Sequence, residues 1–132
     1  NNSTTLVNDT HLLFAVLANE IWLLELFILA ETSSATPDFK FAFTVPAGAT
    51  MPRRTFVCSG LNDAVSGGGR NDATTGVAVG LAGGCGPLIH IKAVLVCGAT
   101  AGNVTFQWAQ NTATVEDTTV KANSCLIAHK LN

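Results

Sequence analysis

The chain has 132 residues, of which 48% are hydrophobic and 12% are charged, and its formal net charge is −2. A disordered chain needs low hydrophobicity with high net charge, and a protein that binds a phosphate backbone needs a basic patch, so this composition argues against both classes. The charged fraction is about half of the usual ~25%, and we therefore expect part of the apolar surface to be buried against another chain.

Residues 1–10 are predicted to form an amino-terminal arm, and residues 11–132 a single β-sandwich domain. Residues 1–8 carry no charge, and the segment Thr4, Thr5, Leu6 and Val7 has strand propensity. Such a segment is suited to strand addition at the sheet edge of a neighbouring subunit. We expect it to be disordered in the free subunit and ordered in an assembly.

The longest apolar stretch spans residues 12–30, which is close to the ~20 residues of a membrane helix. Asn19, Glu20 and Glu25 interrupt it, and a carboxylate is expensive in hydrocarbon, so no membrane partner is predicted. Residues 20–31 contain Leu and Glu, which also favour a helix. Because short strands and tight turns surround this segment, we predict two strands, residues 11–17 and 21–31, joined as a hairpin by residues 18–20.

Both predicted strands are apolar on their two faces, so the hairpin needs two covers, of which one is the core of the domain. The second cover is either a loop of this chain or an external one, a neighbouring subunit or a larger assembly, and we expect the external cover. The predicted interface with a subunit or a capsid combines the arm with the second face of the hairpin: Thr4, Thr5, Leu6, Val7, Leu13, Leu23, Phe27 and Leu29.

Alternation of apolar and polar residues predicts further strands at residues 39–45, 88–97 and 104–109, and a closing strand at 118–131 that is bent near 122–124. Residues 98–102 are typical of a hairpin turn between two of them. The fold class is therefore an all-β antiparallel sandwich or jelly roll of about eight strands. The predicted core is Trp22, Leu24, Leu26, Phe39, Phe41, Phe43, Ile89, Ile91, Leu95, Phe106 and Trp108.

Residues 60–86 contain nine of the twelve glycines and are predicted to be a long insertion loop with a short strand at 77–79. A phosphate-binding loop ends in Lys followed by Ser or Thr, and neither follows Gly67, Gly68 and Gly69. The sequence therefore predicts no nucleotide and no other cofactor.

The residues that could carry chemistry are few and scattered. The cysteines Cys58, Cys85, Cys97 and Cys125 have no C-x-x-C spacing and are predicted to be reduced, although two disulfides in a secreted domain are the alternative. Cys125 and His129 share one strand face but lack the third ligand that a metal site needs, and no metal site is predicted. Glu25 lies alone on an apolar face, where burial would raise its pKa unless Lys40 or Lys92 pairs with it.

Four stretches together resemble the small β-sandwich structural proteins of tailed bacteriophages, which include capsid decoration (cement) proteins. They are residues 2–6 (NSTTL) with 8–9 (ND), 14–22 (FAVLANEIW), 37–49 (PDFKFAFTVPAGA) and 101–111 (AGNVTFQWAQN), and the last continues to 118–124 (TTVKANS). The resemblance covers residues 2–58 and 87–131, which is most of the chain, and leaves out residues 60–86. It consists of strand and turn patterns rather than catalytic signatures.

This resemblance implies a protein without enzyme activity, a homotrimer that binds the major capsid protein on the exterior of the virion after assembly in the bacterial cytoplasm. A tail component is the alternative location. Two other classes stay open: a secreted carbohydrate-binding or adhesion sandwich, which the N-x-S/T sequons at Asn1, Asn2, Asn8 and Asn103 would fit, and a small enzyme that uses Glu25 or His129.

Overall fold

The computed structural model describes residues 2–59, 65–81 and 88–132. These residues form ten strands and no helix, so the predicted all-β class is confirmed. The strands are β1 (Val7–Val16), β2 (Ile21–Thr32), β3 (Phe39–Thr44), β4 (Thr50–Ser59), β5 (Val65–Arg70), β6 (Val77–Val79), β7 (Leu88–Val96), β8 (Gly102–Ala109), β9 (Thr118–Val120) and β10 (Cys125–Lys130).

The strands form two antiparallel sheets that pack face to face as a β-sandwich. The smaller sheet has the order β1-β8-β3-β6. The larger sheet has the order β10-β2-β7-β4-β5, and β9 pairs with the far end of β2. Among the described residues no helix is long and apolar enough to cross a membrane, and the apolar stretch 12–30 forms β1 and β2 instead.

Aromatic rings of the smaller sheet fill the space between the two sheets. Phe41 is fully buried and packs edge-on against Phe43 and Phe56, with ring centroids 6.4 and 5.8 Å apart. Nine of the eleven predicted core residues are buried, and the other two, Trp22 and Trp108, are partly buried and pack against them. Period-two alternation therefore identified the inner faces of both sheets.

The predicted hairpin of residues 11–31 is wrong, because β1 and β2 lie in different sheets. Residues 18–20 carry the chain from one sheet to the other, and Glu20 holds that crossing in place. Its buried carboxylate accepts hydrogen bonds from the N–H of Leu17 (2.7 Å), the indole of Trp22 (3.1 Å) and the ammonium of Lys130 (2.7 Å). Each strand then buries its own inner face in the shared core.

The predicted hairpin turn at residues 98–102 also proves to be a crossing, from β7 of the larger sheet to β8 of the smaller one. Gly98 lies so close to the turn after β3 that an added Cβ would come within 2.7 Å of the carbonyl oxygen of Gly48. The carbonyl oxygen of Gly98 accepts a hydrogen bond from the N–H of Asn19 at 2.8 Å. The two crossings therefore lie side by side at one end of the sandwich.

Two further boundaries differ from the sequence-based expectation. The predicted closing strand is divided into β9 and β10 by a turn in which Asn123 has a φ of 70°, near the predicted bend. In the Gly-rich segment the short strand β6 is confirmed, but residues 65–70 form β5 rather than loop. A Cβ on Gly67 would lie 2.8 Å from the carbonyl oxygen of Phe56, which explains the need for glycine in this strand. Residues 60–64 and 82–87, together with Cys85, lie outside the described residues.

Candidate interaction surface

The larger sheet exposes a broad apolar surface on the side that faces away from the core, which we name the outer face. Its middle consists of the odd-numbered residues 21–29 of β2 and the even-numbered residues 88–96 of β7. Arg53, Thr55 and Val57 of β4 flank it on one side, and Cys125, Ile127 and His129 of β10 flank it on the other.

Several large side chains of the outer face remain in contact with solvent. Ile127 is 52% exposed, Val57 49%, Leu23 42% and Leu88 37%. The inner partners of β2, such as Leu24 and Leu26, are completely buried. Strand β2 is apolar on both sides, but this chain covers only its inner side. An exposed apolar patch of this kind is typical of an interaction site.

A compact polar cluster lies in the middle of the outer face. Oε1 of Glu25 is 2.6 Å from Nε2 of His90 and 3.4 Å from Nζ of Lys92. The His90 ring also stacks on Phe27, with centroids 4.6 Å apart and planes 8° from parallel. Along β2 and β7 the outer face is thus apolar apart from this central polar cluster, and Arg53 and His129 lie at its flanks.

These contacts decide between the two expectations for Glu25. The hydrogen bond from His90 lowers the pKa of the Glu25 carboxyl, aided by the hydrogen bond from Lys92, although desolvation opposes the shift. The pKa is not raised, because partners on the adjacent strand stabilise the carboxylate, and the expected ion pair is confirmed. Of the two suggested lysines, Lys92 pairs with it, whereas Lys40 donates to the carbonyl oxygen of Thr4 at 2.6 Å.

The predicted interface residues do not form one surface. Leu23, Phe27 and Leu29 share the outer face, but Leu13 lies on β1 in the other sheet and is 39% exposed there. The separation follows from the chain crossing at residues 18–20, which places β1 and β2 on opposite sides of the sandwich. Ile127, Val57 and Leu88 are members of the outer face that the sequence analysis did not single out.

The amino-terminal arm lies against the body of its own chain. The N–H of Asn2 donates to the carbonyl oxygen of Thr114 at 2.8 Å, and the N–H of Ser3 donates to Oε1 of Gln110 at 3.2 Å. Thr4 and Thr5 are exposed, Leu6 is half-buried, and Val7 already belongs to β1, where it is 53% exposed. Strand β1 therefore begins within the predicted arm, and of the residues before it Asn2, Ser3 and Thr4 make hydrogen bonds with the body of the same chain.

An open cleft of about 350 Å³ lies between β1 and the turn that joins β9 to β10. Asp9 lines this cleft, and both oxygens of its carboxylate already accept hydrogen bonds within the chain. Oδ1 accepts the N–H groups of His11 and Leu12, and Oδ2 accepts the indole N–H of Trp108. Desolvation acts to raise the pKa of the Asp9 carboxyl, but these hydrogen bonds together outweigh it and lower the pKa. The Asp9 carboxylate therefore has a structural role, because it satisfies backbone and indole N–H groups of its own chain.

The other candidates for chemistry are placed as follows. Cys125 and His129 lie on the same side of β10, as predicted, opposite Phe27 and Leu23 of β2. Within the described residues, no group of three or more His, Cys, Asp and Glu side chains could hold a metal ion. Cys58 and Cys97 are free and buried, and burial raises the pKa of both thiols, whereas Cys125 is free and exposed.

Arg54 of β4 is a feature that the sequence analysis missed. Its side chain points into the core and is 1% exposed, with the guanidinium 5.6 and 5.8 Å from the ring centroids of Phe41 and Phe43. Nη2 donates to the carbonyl oxygen of Thr75 at 2.7 Å and lies 3.8 Å from Oδ1 of Asp72. Within the described part of the chain, Nε and Nη1 have no hydrogen-bond partner.

Comparison of the chain with protein-family models, with curated proteins and with solved structures finds no match in any of the three.

Proposed function

We propose that this chain is a non-enzymatic structural subunit of a tailed-bacteriophage virion, a capsid decoration protein that binds the assembled head. The observation that carries the proposal is the outer face, where Leu23, Val57, Leu88 and Ile127 are 37–52% exposed on one side of a well-packed sandwich. Exposed apolar side chains of this kind are explained in an assembly, where a neighbouring subunit covers them and removes them from water.

The phage assignment is supported by the resemblance of the strand and turn segments, and it agrees with the chemistry of the chain. The charged fraction of 12% suits a protein that covers much of its surface with neighbours. The free, buried thiols of Cys58 and Cys97 suit assembly in a reducing compartment. Virion location and the major capsid protein as partner belong to this proposal.

A decoration protein stabilises a shell because it binds the assembled shell and not the free subunits, so mass action favours the shell. Repetition over many equivalent sites makes weak individual contacts effective. The polar arm, residues 2–6, is suited to such a contact because Thr4 and Thr5 are exposed and their hydroxyl groups can donate and accept hydrogen bonds. Release of the arm from its own chain would let it extend along a neighbour.

The test is a sedimentation assay with empty heads of the phage that encodes the protein. We expect the full chain to pellet with heads, and we expect both Leu23→Gln and a deletion of residues 1–6 to weaken this binding by at least ~10-fold, because the outer face and the arm are the two surfaces that this proposal assigns to binding. Val115→Ser is the matched control, since Val115 is 80% exposed in the loop before β9.

Absence of binding to heads would overturn the proposal, and binding to purified tails instead would favour the tail component. Undiminished binding by the deletion variant would remove the arm from the mechanism. The secreted carbohydrate-binding alternative has less support, because it calls for exposed aromatic rings, whereas Trp22 and Trp108 pack against the core.

A further inference from the structure

The outer face is chemically specific as well as apolar. On β2 and β7 between residues 21–29 and 88–96, its charged side chains are Glu25 and Lys92, and His90 is its other ionisable group. Glu25 and Lys92 are direct cross-strand neighbours, so the negative group lies on one side of the line between β2 and β7 and the positive group on the other. A purely apolar partner would desolvate both groups without replacing their lost contacts with water, which is costly.

We propose that the outer face binds the outer face of a second copy of this chain. The two copies are related by a two-fold axis that lies in the plane of contact, between β2 and β7 and parallel to these strands. The inference rests on the proposed function and names the neighbour that covers this face. Rotation about this axis exchanges the two strands, so Glu25 of each copy faces Lys92 of the other. Charge complementarity is then satisfied twice by one symmetry operation.

The same rotation also matches the apolar residues in each row of the sheet. Leu23 and Val94 are cross-strand neighbours, as are Leu29 and Leu88, so each pair is exchanged by the axis and meets its counterpart. Leu23 and Leu29 therefore meet apolar side chains on the two sides of the charged row, and at the flanks Arg53 of each copy faces His129 of the other. Stacked sheets pack about 10 Å apart, which is the distance that side chains of this size fill.

The size of the face suits a stable contact. Nine paired residues of β2 and β7 extend about 30 Å at ~3.3 Å per residue. The four strands that face a counterpart across this axis, β10, β2, β7 and β4, span about 19 Å at ~4.8 Å per strand. The resulting area of about 570 Å² per copy, or about 1,140 Å² for both copies, exceeds the ~1,000 Å² of total area that a specific interface needs. The two-fold contact differs from the trimer that the resemblance implies, so the mass in solution separates the two.

The test is a charge-exchange experiment on the purified chain, with mass measured by light scattering on a sizing column. The unaltered chain is expected at twice its mass of 13.7 kDa. Glu25→Lys and Lys92→Glu each place like charges opposite one another twice, and we expect each to raise the dissociation constant by about 100-fold or more. An equimolar mixture of the two variants is expected to form a dimer again, because the introduced lysine of one copy then faces the introduced glutamate of the other.

Recovery on mixing cannot arise from a contact within one chain, so it distinguishes the two-fold contact from a loss of fold. Leu23→Gln changes no charge and is also expected to yield a monomer, which provides a second test if a charge variant fails to fold. Val115→Lys is the matched control and should leave the dimer intact.

An unaltered chain that is a monomer at micromolar concentration, or that has the mass of three chains, would overturn the inference. So would folded charge variants that remain dimers or do not pair on mixing. A monomer that still binds heads, and loses this binding with Leu23→Gln, would refute the second copy and retain the proposed function. A dimer that forms again in the mixing test but binds no head would retain the second copy and refute the proposed function.

Discussion

Replacement of Arg54 by methionine tests how this core accommodates a charge. The guanidinium is 1% exposed, and burial lowers the pKa of the Arg54 side chain from its ordinary value. Arg54→Met removes one charged hydrogen bond to Thr75, worth about 1.5–3 kcal/mol, and the contacts with two aromatic rings, worth about 1–2 kcal/mol each when desolvated.

The opposing contributions are at least as large. Nε and Nη1 have no partner within the described residues, and each unsatisfied donor costs about 1–3 kcal/mol. Desolvation of the charge costs several kcal/mol more, and the nearest carboxylate oxygen, on Asp72, is 3.8 Å away. We therefore expect the free energy of unfolding of Arg54→Met to lie between unchanged and about 2 kcal/mol higher, as methionine fills the space with apolar atoms.

The measurement is urea unfolding followed by the fluorescence of Trp22 and Trp108, with all variants at the same chain concentration because self-association adds to apparent stability. Asp72→Asn is the companion variant: it should lower stability in the natural chain and have little effect together with Arg54→Met. A loss above about 2 kcal/mol for Arg54→Met would refute the reasoning and show that the ring and carbonyl contacts dominate.

Two further outcomes follow from the core and from the crossing at residues 18–20. Phe41→Ala should lower the free energy of unfolding by about 3–5 kcal/mol in the same assay, since the ring is fully buried among other rings, whereas a loss below about 1 kcal/mol would place this face outside the core. The hydrogen bond from Lys130, followed by that from the N–H of Leu17, lowers the pKa of the Glu20 carboxyl below its ordinary value. This carboxylate therefore stabilises the fold above its ordinary pKa, and that stabilisation is lost as the pH falls through the lowered value. The melting temperature of Glu20→Gln should be lower than that of the natural chain near neutral pH and fall less steeply below about pH 5, and equal acid slopes would contradict this role.

The inner faces of the strands could be predicted from the sequence because a buried strand shows its environment in every second residue. Phe39, Phe41 and Phe43 alternate with less apolar neighbours, and all three are buried. Strand β4 escaped prediction because its alternation changes phase. The register shifts between Thr50 and Arg53, so Met51 and Arg54 both point inward although they are three residues apart.

Sheet membership could not be predicted from the same pattern. A short polar segment between two apolar strands is compatible with a hairpin or with a crossing. The two are distinguished here by long-range pairing, of β1 with β8 and of β2 with β7, which the local pattern does not contain. The outer face was therefore predicted in part: Leu23, Phe27 and Leu29 were assigned to it, but their neighbour Ile127 is known only from the pairing of β10 with β2.

The long sequence separation between paired strands also determines the order in which the chain can acquire structure during synthesis. Val7 of β1 meets Trp108 of β8, and Leu23 of β2 meets Val94 of β7, so neither apolar strand has a partner until most of the chain has left the ribosome. Closing such long loops before any contact forms slows folding, and all-β domains of this kind fold in milliseconds to seconds. Two unpaired apolar strands are meanwhile accessible to other nascent chains, so yield during expression should depend on chaperone capacity and on temperature more than on the stability of the finished sandwich.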